Sequence, residues 1–204
     1  MTTKYGFLEV RDQLLKDVKG AYPTRWEDFR SAKVLGEDVF GSPKPHPNAV
    51  LNLFVVQGVT FAVPFAAYRA SIGGYSALMG DKPGAALPGH TLTATVHGMH
   101  VLSSMAAHAA RRVAYGGDLR VCSSRACVLR VGNSPIKPRL EAMEKIYDTM
   151  VAPRKGGVLT SPSLGHLLCT KCIKSVEAAH ATWGSFCWGK LALVFNISNG
   201  WDDL

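Results

Sequence analysis

No G-x-S-x-G elbow, phosphate-cradling P-loop or dinucleotide-binding glycine fingerprint occurs in the 204-residue sequence. The catalytic motifs that local spacing can reveal are therefore missing, and Lys155–Val158 (K-G-G-V) reads only as a turn. Carboxylates are absent between Asp81 and Asp118, the stretch richest in histidine. A metal centre built on His97, His100 and His108 would have no acidic partner there to complete or orient it. Aromatic residues are sparse where positive charge is dense. Residues 111–174 hold 12 Lys/Arg against 4 Asp/Glu, with Tyr115 and Tyr147 as the only aromatics, and no recognition helix or RNA-binding signature. The charged start, M-T-T-K-Y-G-F-L-E-V-R-D-Q, holds no apolar stretch of signal-peptide length. An intracellular chain, cytoplasmic or nuclear, is expected, in a reducing compartment where disulfides are disfavoured. The N-I-S sequon at Asn196 then carries no meaning.

What is present suits a folded protein. Hydrophobic residues make up 47% and charged residues 19%, too apolar for disorder and enough to bury a core. The net charge of +8 is uneven, because residues 111–174 alone contribute +8. Three readings of that basic segment compete: a footprint for a polyanion, cations that stabilise a cluster of thiolates, or a solvated face. Pro45–Tyr68 contains no charged residue, and Ala49–Tyr68 is about long enough to span a bilayer. Asn52, Gln57, Gly58, Thr60 and Pro64 interrupt it, so two short buried helices and no membrane span are expected.

Periodicity predicts an all-α fold, an irregular bundle of about six or seven helices. Phe7, Val10, Leu14 and Val18 recur at helical spacing, and Gly20 and Pro23 end the first helix. Thr24–Glu27 fits a capping box for a short second helix with Trp26 and Phe29 inward. After the proline-rich connector Gly41–Asn48, Asn48 is expected to cap a helix that Gly58 closes. A further helix has Pro64 in its first turn. Gly73–Gly89, rich in glycine and proline, predicts a loop. The longest pattern places Leu92, Met99, Leu102, Ala106, Ala109 and Val113 on a core face and the three histidines opposite. Leu140, Met143, Ile146, Tyr147 and Met150 mark another helix, on which Glu141 and Glu144 read as a solvated face. The last helix is expected from about Cys172 to Phe195, with Val176, Trp183, Phe186, Leu191 and Phe195 available for the core. Short β-branched runs at Val121 and Val128–Val131 are candidates for a small hairpin. Residues 1–115 and 116–204 are expected to form two regions packed as one domain.

Four of the five cysteines fall in two close pairs, Cys122/Cys127 and Cys169/Cys172, with 41 residues between them. Gaps of four and two residues suit knuckles that each present two thiolates to one tetrahedral Zn²⁺. Closing so long a loop removes unfolded-chain entropy worth roughly 3–4 kcal/mol. The alternatives are packed free thiols and a redox-active C-x2-C or disulfide. His166 or His180 can also replace a thiol. Cys187, between Phe186 and Trp188, reads as a core thiol. Four protein ligands would fill the tetrahedron, which makes such a site structural.

The order of segments resembles the helical region that follows the BTB/POZ fold in a fungal, mainly basidiomycete, protein family. Lys4–Leu15 followed by Ala21–Phe29 looks like the helix ending that fold and the Tyr-Pro-Thr turn beyond it. Ala49–Ala70 is similar to the family's helix pair, with Val63-Pro64-Phe65-Ala66-Ala67-Tyr68 at its centre. Leu168–Phe195 resembles the closing Cys-x-x-Cys helix. Trp188, Leu191 and Phe195 match its end, whereas Ala192 stands where the family has proline and Asn196 where it has glycine. The BTB core itself would precede Thr2 and is missing, so its dimerisation and ligase-adaptor roles do not carry over. The resemblance implies a non-catalytic module that binds a protein partner. Set against it are a zinc-stabilised nucleic-acid binder using Arg111, Arg112, Arg120, Arg125, Arg130, Lys137 and Arg139, a thiol or metal enzyme, and a membrane-anchored protein.

Overall fold

The fold is all-α. A computed structural model of the chain describes residues 7–31, 44–79, 86–115, 122, 127, 136–151, 159 and 168–196. Among the described residues there are nine α-helices, six of them of seven residues or more, and no strand. The runs around Val121 and Val128–Val131 lie outside the described residues. The chain divides into two compact units, Met1–Met99 with Trp188–Leu204, and His100–Cys187. The expected division after residue 115 falls at the edge of the described residues.

In the first unit, α1 (Phe7–Ala21) delivers Ala21 and Tyr22 to the core from its C-terminal end. Val10 and Leu14, expected to face inward, are 58% and 59% exposed. α2 (Trp26–Ser31) begins after Arg25, whose carbonyl accepts from the Phe29 N–H, so the entry residue is Arg25 rather than Thr24. Trp26 and Phe29 are buried as expected.

α3 (Pro47–Gln57) corrects another cap. Proline disfavours helical backbone in the residue before it and suits the first helical position. Pro47 thus makes His46 the extended N-cap, and the His46 ring accepts from the Asn48 N–H at 3.3 Å. Asn48 is instead buried and reaches out of the helix. Its amide donates to the carbonyls of Ala77 and Leu78 at 3.0 and 3.1 Å. These belong to α5 (Gly74–Met79), a helix inside the expected loop, where Leu78 is fully buried. At the far end of α3, Gly58 adopts φ 68°, a left-handed conformation that glycine reaches without penalty. Gly58 N–H donates to Val55 and Val59 N–H to Phe54, which satisfies two of the last carbonyls. A 3-10 turn then leads into α4 (Val63–Ser71), with Pro64 in its first turn. Among the described residues no helix is long and apolar enough to cross a membrane.

α4 packs against α3, α5 and α9 (Leu191–Val194), and aromatic rings fill the space around it. Phe29 stacks on Trp188 at 4.7 Å, Tyr22 meets Phe54 edge-on at 4.8 Å, and Phe65 lies 5.5 Å from Trp188. Each such pair contributes about 0.5–1.5 kcal/mol beyond simple burial. The Trp188 indole N–H donates to the Thr24 carbonyl at 2.9 Å, so this large ring buries its polar atom paired.

α6 (Gly89–Tyr115) begins in the first unit and continues into the second. Its buried seam is Thr91, Thr95, Gly98, Leu102, Ala106, Ala110 and Ala114. Of the expected face only Leu102 and Ala106 are fully buried, whereas Leu92, Met99, Ala109 and Val113 are half-buried. Small residues win the seam because they admit close neighbours. At Gly98 an added Cβ would overlap the Phe195 ring. Thr95 enters the core because its hydroxyl donates to the Thr91 carbonyl at 2.7 Å. His97, His100 and His108 are exposed, as expected.

The second unit is built from the remainder of α6, α7 (Ile136–Val151) and α8 (Thr170–Trp188). Ala142, Met143 and Ile146 of α7 are buried, while Leu140 is 53% exposed and Glu141 and Glu144 face solvent. The expected single closing helix breaks at Gly189 and Lys190, separating α8 from α9. Phe186, expected in the core, is 59% exposed. The buried positions of α8 run through Cys172, Val176, His180, Gly184 and Cys187, and Phe186 lies off that row.

Candidate metal centre

The start of α8 is where the second cysteine pair acquires its geometry. Cys169 precedes the helix, and its carbonyl accepts from the Ile173 N–H at 3.0 Å, which makes Cys169 the N-cap residue. Cys172 is therefore the third helical residue, whose own N–H points back toward the cap. Leu168 before the cap and Ile173 after it join one hydrophobic cluster, the arrangement of a hydrophobic staple. That cluster also holds Ala110 and Ala114 of α6, Met143 and Ile146 of α7, Val176 of α8, and both Cys122 and Cys127.

All four predicted cysteines converge. Their sulfur atoms lie within 4.8 Å of one another, an arrangement that can hold a metal ion. Cys122 and Cys169 are 3.6 Å apart, and the Cys127 thiol donates to the Cys172 sulfur at 3.8 Å. These two contacts run between the pairs, and within its own pair Cys169 also meets the Cys172 thiol. A disulfide would bring sulfurs to ~2.05 Å, and all five cysteines are free. An ion bonded to four sulfurs at ~2.3 Å would hold them about 3.8 Å apart along each tetrahedral edge. The 3.6 and 3.8 Å separations match such an edge, and the remaining sulfurs lie within 4.8 Å.

Electrostatics separates the thiols. The Cys172 backbone N–H, donating to the Cys169 sulfur, is the main influence on that group. It outweighs burial and, with the thiols of Cys122, Cys172 and Cys127, lowers the pKa of Cys169 to about 6. Cys172 moves the other way, well above the usual thiol range, because burial and the neighbouring sulfurs favour its protonated form. One thiolate is thus ready at neutral pH, and Cys172 surrenders its proton only to something that replaces it, such as a cation. Arg111 and Arg112 at the end of α6, and Lys171 and Lys174 on α8, are exposed on the helices that carry the cluster. Four thiolates around a divalent ion leave about two negative charges, which such cations stabilise.

Arg120, Arg125, Arg130 and His166 lie outside the described residues, and Lys137 and Arg139 fall in the first turn of α7. His180 is buried further along α8 with its ring edge-on to Trp183 at 5.4 Å, and takes no part in the four-sulfur group. Cys187 is fully buried, and burial alone pushes its thiol up to about 12, which suits a core residue. The sequence reading missed the capping role of Cys169. Its signal was the onset of a helical pattern one residue later. Comparison with protein-family models, curated proteins and solved structures finds no match.

Proposed function

We propose that the chain is a non-catalytic protein–protein interaction module whose second unit is fastened by a structural zinc ion on Cys122, Cys127, Cys169 and Cys172. The observation that carries the zinc reading is the agreement of the 3.6 and 3.8 Å sulfur separations with a tetrahedral edge. Thiolates favour Zn²⁺ over hard cations such as Mg²⁺ or Ca²⁺. With four protein ligands no position remains for water or substrate, so the ion would fasten structure without performing chemistry. The interaction reading draws support from the resemblance to the region after a BTB fold. Exposed apolar side chains also recur on neighbouring turns of α1 (Val10, Leu14), α3 (Leu53, Val56) and α5 (Tyr75, Met79).

The test is metal content. Purified protein is expected to carry one zinc per chain, and a Cys122→Ser/Cys169→Ser variant none. A wild type without zinc, or a variant that keeps it, ends the zinc reading. Binding to duplex DNA or RNA that weakens steeply with salt would instead favour the basic segment 111–174 as a nucleic-acid surface.

A further inference from the structure

We propose that the cysteine cluster is a peroxide-responsive switch, in which Cys169 and Cys122 join across the two pairs and the bound ion is released. This inference rests on the zinc reading above and names how that site would be regulated. Two observations carry it. Cys122, Cys127 and Cys172 are 3%, 4% and 4% exposed, whereas Cys169 is only half-buried, so an oxidant meets Cys169 first. The Cys169 sulfur lies 3.6 Å from that of Cys122, from a segment 47 positions away, and also meets the Cys172 and Cys127 thiols. Forming the bond requires an approach of about 1.5 Å.

The chemistry balances with hydrogen peroxide as oxidant. The Cys169 thiolate attacks one peroxide oxygen, the O–O bond breaks and hydroxide leaves, giving a sulfenic acid. The Cys122 thiolate attacks that sulfur, the S–O bond breaks and a second hydroxide leaves. Each hydroxide takes a solvent proton to become water. The two sulfurs together lose two electrons and the peroxide gains two, while the ion keeps its charge. Cys127 and Cys172 then remain as two ligands in place of four, too few for a structural tetrahedral site. The new disulfide still ties Cys122 to the start of α8, so helix content is retained.

The experiment titrates zinc-loaded full-length protein with hydrogen peroxide. Released zinc is followed with a chromogenic chelator, thiols with a disulfide reagent, and linkage by proteolysis and mass spectrometry. One zinc released per two thiols lost, a Cys122–Cys169 linked peptide, and recovery on adding dithiothreitol and zinc are expected. Zinc retained until thiols reach sulfinic acid, or a Cys169–Cys172 link instead, would overturn the proposal. A chain purified without zinc defeats the zinc reading separately. Peroxide treatment of that metal-free chain still tests the pairing, which stands if Cys122 links to Cys169 and falls if another pair forms. Every readout uses the wild-type chain, so none depends on a variant folding.

Discussion

Cys169 and Cys172 stand on either side of a helix entrance, and that boundary decides which sulfur carries charge. The thiol at the cap receives an N–H bond and the positive end of the helix dipole, while the thiol one turn inside receives burial. In metal-free protein, Cys169 is expected to react with iodoacetamide with a midpoint near pH 6, while Cys172 and Cys187 stay unmodified at pH 8. Mass mapping against pH checks this, and a Cys169 midpoint near 8.5 would refute the capping account. The same shift acts on stability. The folded pKa of Cys169 lies below that of the unfolded thiol, so its contribution is present in full above about pH 9 and is lost as pH falls through 6. Cys187 has the opposite sign, stabilising below about pH 9 and losing that contribution as pH rises toward 12. Urea unfolding of metal-free wild type and a Cys187→Ala variant, across pH 6–10, separates the two. The spacing of the four cysteines was legible because ligand gaps depend on local chain geometry. The division of labour among them was not, since it depends on which residue happens to cap α8.

At the level of single helices, the misread features were decided by groups outside the helix's own apolar pattern, some adjacent and some distant in sequence. Asn48 looks like a cap by its side-chain chemistry, but the Pro47 ring claims the turn and frees the amide to close α5. The glycine-rich stretch holding α5 reads as loop because the partner for its terminal carbonyls lies 29 and 30 residues upstream. Asn48→Ala is expected to cost about 1–3 kcal/mol, the penalty for leaving buried carbonyls unsatisfied, read as a lower urea midpoint. An unchanged midpoint would mean that α5 does not depend on that amide. The seam of α6 was rotated for a related reason. Hydrophobicity favours Leu92 and Met99, whereas packing favours Gly98, whose face the Phe195 ring occupies. Gly98→Ala should therefore lower stability by about 1–3 kcal/mol, although alanine is the better helix former. A stabilised Gly98→Ala protein would show that Phe195 can move aside. Apart from α5, helix existence was legible from Phe7 to Trp188 among the described residues, because a 3.6-residue period survives without knowing what it packs on.

For the molecule as a whole, the two units differ in what holds them. Aromatic rings around α4 fill the first, whereas the core of the second is largely alanine and medium-sized aliphatic side chains beside the four sulfurs. If the cluster holds zinc as proposed, stripping it with a chelator is expected to speed hydrogen exchange in α7 and the first turns of α8 and to leave α3 and α4 protected. Uniform loss of protection, or none, would contradict a fastening local to the second unit. The unit boundaries also differ in how far along the chain each unit reaches. Residues 100–187 are continuous and supply every residue of the second unit. The first unit needs Trp188 and α9 as well, and Trp188 supplies both a ring stacked on Phe29 and a donor for Thr24. The core of the first unit is therefore complete only once Trp188 and α9 have been made. A premature stop before Trp188 would leave its mark on residues made more than a hundred codons earlier.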